Sequence, residues 1–383
     1  MNERFDPVPF ITFVRGFLFW AAATAAMGYI PLFIGSMSFS TTQAAIFLSG
    51  TAIGRVIFQP IMGKLISPKN CLQVYASALI GLVLCSFFLF FSSSVGLLLV
   101  SRLLEGAFFS GFIISWRTQL NQLSQYPNFD SVNDSYVLSQ NAGRLIGPIA
   151  GGFIVEKFNI HSVFLFSAIL YLLCMMILPR KIAATSDIDN LNKHTGIKYF
   201  QFFRHDWKLL LIHHLEFICL GLWLTSWPIF AVYSCEFDPI NVGYSFAISA
   251  AGGLLMLPIR QLLRKITLKV RLTMSLILLF LQPTSAIFMP NNLGFWIMFL
   301  LGGLGSTIYF TTFHKFISKT YSVEKIPVIY GILGTSTFLA QAFGHAAVPY
   351  LQKFGGIDTP IIINVIFLLV MMLISLKIPK KNR

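Results

Sequence analysis

Ionisable side chains inside greasy segments carry whatever chemistry this chain performs, and they are few. Arg102 and Glu105 stand three residues apart in SRLLEGAFFSG, so on a helix they can meet as a local ion pair. The pair can simply hold helices together, or Glu105 can exchange a proton while Arg102 sets the balance between acid and carboxylate. A second carboxyl lies in HHLEFICLGLWLTSW, where His213, Glu216, Leu220, Trp223 and Trp227 follow in steps of three or four and share one helix face. Turning a charge toward lipid costs at least about 2.5 kcal/mol on insertion scales, so this face is expected to look into a wet cavity. Glu216 with His213 then forms a second candidate proton carrier. Trp223 and Trp227 would give an organic substrate flat walls, or else sit in an interfacial belt.

Arg55 and Arg144 are the remaining charges of this kind, with Gln140 one helical turn before Arg144. Among the fourteen Asp and Glu, only Glu105 and Glu216 fall within apolar spans, so no acid is left for these two arginines. Their planar guanidinium forks suit a carboxylate or phosphate; alternatively they bond backbone carbonyls or snorkel into wet crevices. Gln341 and His345, one turn apart in a later segment, are expected to face Arg144 across a central cavity.

The elements that must position these groups follow from composition. Of 383 residues, 56% are hydrophobic and 11% charged, and the mean hydropathy is +0.74. A water-soluble domain is excluded, since such domains carry about 25% charged residues. Apolar runs predict twelve helical spans near 10–34, 42–66, 71–92, 95–117, 135–156, 161–178, 207–233, 240–262, 268–288, 293–314, 326–350 and 358–378. The polar stretch 179–206 divides six spans from six, giving an N-terminal half at 1–178, a cytoplasmic linker, and a C-terminal half at 207–383. With the N-terminus inside, 23 of the 28 Lys and Arg, Arg15 among them, fall on cytoplasmic ends and loops, so both termini are expected in the cytoplasm. The net charge of +14 is thereby a topology signal, and no nucleic-acid partner is needed. There is no zinc spacing, phosphate loop or dinucleotide fingerprint, and the five Cys are scattered. No cofactor or metal is expected.

The halves repeat. GTAIGRVIFQPIMGKL and ISAAGGLLMLPIRQLL align Pro60 with Pro258, an offset of 198 (258 − 60). QNAGRLIGPIAGGFIVEKF and LAQAFGHAAVPYLQKF align Gly147 with Gly344, an offset of 197 (344 − 147). Two helix pairs sharing nearly one period indicate a transporter built from related six-helix units.

In the fifth span Gly143, Gly147, Pro148, Gly151 and Gly152 read G-x-x-x-G-P-x-x-G-G, a smooth ridge with a proline bend. This resembles the antiporter motif of the major facilitator superfamily, and Arg102, Glu105 and Gly106 resemble that family's R-x-x-[QE]-G element. After the second span, Gly63 and Leu65 match the family's loop motif, while Ser67 stands where an Asp is usual. The resemblance runs over essentially the whole chain and implies an all-α membrane protein with twelve transmembrane helices in two pseudo-symmetric halves, alternating access, and gating through the fifth-span motif.

The motif is similar to that of twelve-span drug:proton antiporters, which implies export. Many of those carry a carboxylate in the first helix for cationic drugs; here that helix offers Thr24 and Tyr29 instead, so a neutral or acidic product fits better. The expectation is therefore a monomeric secondary transporter of the bacterial inner membrane that exports a small organic molecule against protons. The cargo is a drug-like compound or an acidic product such as a carboxylate siderophore. An uptake permease for an anionic metabolite or siderophore is the alternative. An intramembrane enzyme is a remote one, since His314 and His345 have no acid close in sequence.

Overall fold

In lipid every backbone N–H and C=O must find its partner within the chain, and long apolar segments do so as helices. The computed structural model describes residues 7–37, 39–67, 69–122, 129–177, 207–290, 292–320 and 326–378. Its helices are α1 (Pro7–Met27), α2 (Ile30–Gly35), α3 (Thr41–Leu65), α4 (Cys71–Phe91), α5 (Val95–Gln122), α6 (Phe129–Lys157) and α7 (Ser162–Met176). There follow α8 (Trp207–Tyr233), α9 (Pro239–Leu254), α10 (Met256–Arg264), α11 (Leu268–Phe288), α12 (Leu293–Thr320), α13 (Ile326–Gly355) and α14 (Thr359–Leu376). No strand occurs among the described residues. The linker expected at 179–206 lies outside the described residues.

Two expected spans are broken rather than continuous, each just ahead of a proline, although Pro60, Pro148, Pro228, Pro283 and Pro349 lie inside unbroken helices. Pro31 has no N–H to give the Met27 carbonyl, and Pro258 none for Leu254, so α1 and α9 end at those residues and α2 and α10 continue after a turn. Four other helices outrun their expected limits: α5 reaches Gln122, α12 reaches Thr320, α13 reaches Gly355, and α6 starts at Phe129. Hydropathy marks where lipid contact stops, whereas a helix continues until its hydrogen bonding is interrupted. The polar run RTQLNQ at the end of α5 holds neither Gly nor Pro to interrupt it.

The packing repeats itself. In the first half α1 lies on α6 and α7, α3 on α5, and α4 on α5 and α7. In the second, α8 lies on α13 and α14, α9 on α12, and α11 on α12 and α14. Exchanging α1 for α8, α3 for α9, α4 for α11, α5 for α12, α6 for α13 and α7 for α14 turns one list into the other. Between the halves α3 packs on α13 and α6 on α9, which the same exchange also interconverts. A pseudo-two-fold axis therefore runs between the halves, with α1, α3, α5, α6 and their counterparts around it.

Small residues set the closest approaches, as expected where helices associate by packing rather than by apolar burial. A side chain at Gly143 would meet Trp20 Cβ at 2.6 Å, and one at Gly147 would meet Thr24 and the Ala21 carbonyl. Gly151 abuts Ala25 and Tyr29, so three members of the ridge are seated on α1. Gly152 meets both halves: a Cβ there would lie 2.6 Å from the Tyr29 hydroxyl and 2.8 Å from Ile240 Cα, at the start of α9.

Candidate functional site

The bundle is closed between its halves at the end away from the termini. Tyr29 follows Gly28 in the turn between α1 and α2 and is fully buried. Its hydroxyl lies 2.9 Å from the Pro148 carbonyl of α6 and 3.1 Å from the Pro239 carbonyl of α9, with one proton to share between them. At the same end Tyr350 donates to Thr42 Oγ1 at 3.2 Å, tying α13 to α3.

Toward the terminal end the same helices part around a cavity of about 190 Å³. Arg55 and Gln59 of α3, Arg117 of α5, His213 of α8, His314 of α12 and Phe338 of α13 all reach it. Phe217, Phe310 and Phe313 add aromatic wall, and no Asp or Glu occurs among the described lining residues. Arg55 spans the two halves: its guanidinium carbon lies 3.7 Å from the Phe338 ring centre and 4.6 Å from that of Phe109. The Nε of Arg55 is buried without a hydrogen-bond partner, and the group feels the positive charges of Arg117 and Arg144. A cavity with this lining attracts a flat anion and repels a cation.

Arg144 keeps an accessible side chain and stacks over Trp20 at 4.4 Å. Gln140 donates to the Tyr136 hydroxyl at 3.1 Å. Gln341 and His345 are brought together, Nε2 to Nε2 at 3.3 Å, and His345 Nδ1 lies 2.7 Å from Thr225 Oγ1, which joins α13 to α8. The Arg102–Glu105 ion pair forms; Thr51 Oγ1 of α3 lies 3.4 Å from Glu105 Oε2 and 3.3 Å from the Arg102 carbonyl.

The α8 face separates into three environments. His213 lines the central cavity, stacked 3.6 Å from the Phe313 ring with Nδ1 3.2 Å from the Tyr309 hydroxyl. Glu216 and Trp223 instead line a second chamber of about 130 Å³ inside the C-terminal half. Trp227 is fully buried, donates to Ser245 Oγ at 2.7 Å, and packs among Trp223, Phe295 and Phe299. The missing information was three-dimensional: helical periodicity groups residues on a face without saying which neighbours wall each part of it.

Arg15, which sequence reasoning passed over as a cytoplasmic-end charge, is a buried charge of the N-terminal half. It is 4% exposed; Nε donates to the Tyr75 hydroxyl and a terminal nitrogen to Gln119 Oε1, both at 3.2 Å, and the guanidinium sits 4.7 Å over the Tyr75 ring. Its place five residues inside the first expected span was the available signal.

Two bundles related by a pseudo-two-fold axis, joined at one end and hollow at the other, have the architecture of a membrane transporter. The chain belongs to the Major Facilitator Superfamily, whose profile matches residues 10–345. The multi-drug resistance efflux pump PmrA of Streptococcus pneumoniae is 30% identical over 161 residues, 40% of this chain and 40% of that protein. The class B tetracycline resistance protein of Escherichia coli is 27% identical over 214 residues, 53% of this chain and 52% of that protein. The chain thus spans about half or less of these relatives. Among solved structures, the nucleoside transporter NupG superposes with a TM-score of 0.73 over 97% of this chain and 96% of its own, at 15% identity. At that identity the likeness concerns the fold alone. The protein is an integral membrane transporter and not an enzyme.

Proposed function

We propose that this protein exports a small organic molecule in exchange for protons, and that an acidic compound carrying an aromatic ring suits it best. The observation that carries the reading is the central cavity, whose described lining offers Arg55, Arg117 and two histidines among phenylalanines and no carboxylate. The partial likeness to efflux pumps supports the outward direction. Residues 1–178 and 207–383 would rock as two bodies about the connection at 179–206, in a bacterial inner membrane, as a monomer with both termini in the cytoplasm. In that orientation the seal at Tyr29 closes the outer end and the cavity opens inward.

Coupling needs a group whose protonation favours one access state over the other. Glu105 with Arg102 and Glu216 with His213 are the two candidates. Arg144, Gln140, Gln341 and His345, near the axis, are the further candidate substrate contacts, and the Gly143–Gly152 ridge is the candidate gate.

Import of an anionic metabolite would use the same cationic cavity. Vesicles of both orientations, loaded with a pH gradient and offered labelled salicylate, separate the two. Accumulation in inverted vesicles, driven by an acidic lumen, is the expected result; accumulation confined to right-side-out vesicles would replace export with uptake. No movement of any aromatic acid in either would remove the assigned substrate class.

A further inference from the structure

Arg15 is a buried cation with no anion beside it. It is 4% exposed, about two turns from the start of α1 at Pro7, and no carboxylate among the described residues pairs with it. Its Nε is spent on the Tyr75 hydroxyl and one terminal nitrogen on Gln119 Oε1, both at 3.2 Å. The other terminal nitrogen makes no hydrogen bond to any described residue. The titratable groups around it are neutral and already used: Tyr75 lies 3.5 Å from Cys174 Sγ, and the thiol donates to the Arg15 carbonyl at 3.5 Å. The ring faces of Tyr75 and Trp116, at 4.7 and 5.8 Å, return only part of what burying a guanidinium costs.

Donors without acceptors collect at the same place. Gln119 is 6% exposed; with its amide oxygen tied to Arg15, the adjoining Nε2 is buried without a partner. Ser115, one turn earlier on the same face of α5, is fully buried and its Oγ is partnerless too. Other hydroxyls of this helix satisfy themselves on the backbone, Ser110 on the Gly106 carbonyl and Thr118 on that of Ile114. Ser115 does not. Free N–H and O–H groups around an uncompensated charge call for an acceptor that is itself negative. Water meets the first need and not the second.

We propose that Arg15, Gln119 and Ser115 bind a small monovalent anion, a halide of chloride's kind, inside the N-terminal half. A spherical halide is satisfied by these few donors, whereas a carboxylate or phosphate brings further oxygens that the surrounding Phe112 and Trp116 rings leave unmatched. The ion joins α1 to α5, as Tyr75 joins α1 to α4. It sits within one half and not between the halves, so it stabilises that half without being carried.

Thermal unfolding of the full-length protein, purified in potassium gluconate and titrated with potassium bromide at constant ionic strength, tests the site. The expected result is a saturable rise in melting temperature of about 3 °C or more. Gln119→Glu sets a carboxylate against Arg15; it should abolish the bromide response and melt in gluconate as the wild type does in bromide. Ser115→Ala should keep the rise and move its midpoint to about tenfold higher bromide. Arg55→Gln removes a cation of the central cavity and should leave the titration unchanged. A wild type that melts alike in both salts, a response that survives Gln119→Glu, or one lost in Arg55→Gln would overturn the site. If Gln119→Glu does not fold, an unmoved midpoint in Ser115→Ala overturns it equally. Neither cargo nor direction enters the readout, so this site and the export reading stand or fall separately.

Discussion

Arg15 of α1 and His213 of α8 fall one residue out of register in the two halves: Gly147 meets the Ala21 carbonyl as Gly344 meets that of Ile218, an offset of 197 (218 − 21) that pairs His213 with Gly16, yet each is buried against an aromatic pair. Arg15 lies over Tyr75 and Trp116; His213 lies on Phe313 beside Tyr309. Trp116 and Phe313 are themselves counterparts, at an offset of 197 (313 − 116). One half thus holds a guanidinium against its aromatic pair where the other holds an imidazole.

The Arg102–Glu105 pair is coupled through burial. Arg102→Leu alone leaves Glu105 among α3, α4 and α5 without its cation, and should cost about 3–5 kcal/mol of stability. Arg102→Leu with Glu105→Leu should recover most of that loss. Thermal unfolding in detergent, arranged as a double-mutant cycle, measures the coupling; additive losses would mean the two side chains act independently.

Arg55 is held by ring faces, so its planarity matters as much as its charge. Arg55→Lys should weaken salicylate binding about tenfold or more, nearly as much as Arg55→Gln, because an ammonium cannot both stack on Phe338 and present a two-pronged donor. Titration calorimetry on the purified protein checks this. Equal affinity for Arg55→Lys and wild type would reduce the site to a point charge.

The ridge on α6 has no room at Gly147, where a methyl group would run into Thr24 and the Ala21 carbonyl. Gly147→Ala should destabilise by about 1–3 kcal/mol or pry α1 from α6, with transport falling accordingly. Gly63, with nothing within 4 Å, is the contrasting site, and Gly63→Ala should leave yield and melting temperature unchanged. Expression level and thermal unfolding distinguish the pair.

Much of the architecture was legible because lipid imposes a simple code: apolar length for spans and one 197–198 offset for the repeat. The G-x-x-x-G-P pattern likewise identified the close contact of α6 before any coordinates. The interior of the site was less legible. That His213 and Glu216 line different cavities depends on helices far along the chain: Phe338 of α13 walls the first, and Gln282 of α11 and Asn364 of α14 wall the second. The breaks after Met27 and Leu254 fall where a proline deprives the carbonyl four residues earlier, but Pro60, Pro148, Pro228, Pro283 and Pro349 do the same inside unbroken helices, so that rule marks where a break can fall without choosing among the sites. Arg15 was counted as a terminal charge because basic residues near span ends usually are; its neutral partners Tyr75 and Gln119 come from helices that sequence alone does not place beside α1.

Tyr29→Phe removes the hydroxyl that links α6 to α9 and should raise the population open at the end away from the termini. Thiol labelling of a cysteine introduced at Ile240 measures it, and faster labelling in the Tyr29→Phe background is the expected outcome. Background from native thiols is small, since the five cysteines are all buried and none is in a disulfide. Cys235, just beyond α8, is further protected: burial, with the Asp358 carboxylate adding to it, pushes its thiol up to about 11. It therefore stays protonated and slow to react at neutral pH and gains reactivity only as pH rises toward that value. Unchanged labelling at position 240 would mean the hydroxyl contributes nothing to closure.

Both oxygens that receive the Tyr29 hydroxyl belong to the main chain, at Pro148 and Pro239. Every amino acid supplies such an oxygen, so no substitution at either proline can delete the acceptor itself. Mutational drift can abolish the tie only by altering the tyrosine or by displacing a whole segment. The catch is thus heritable through a single codon.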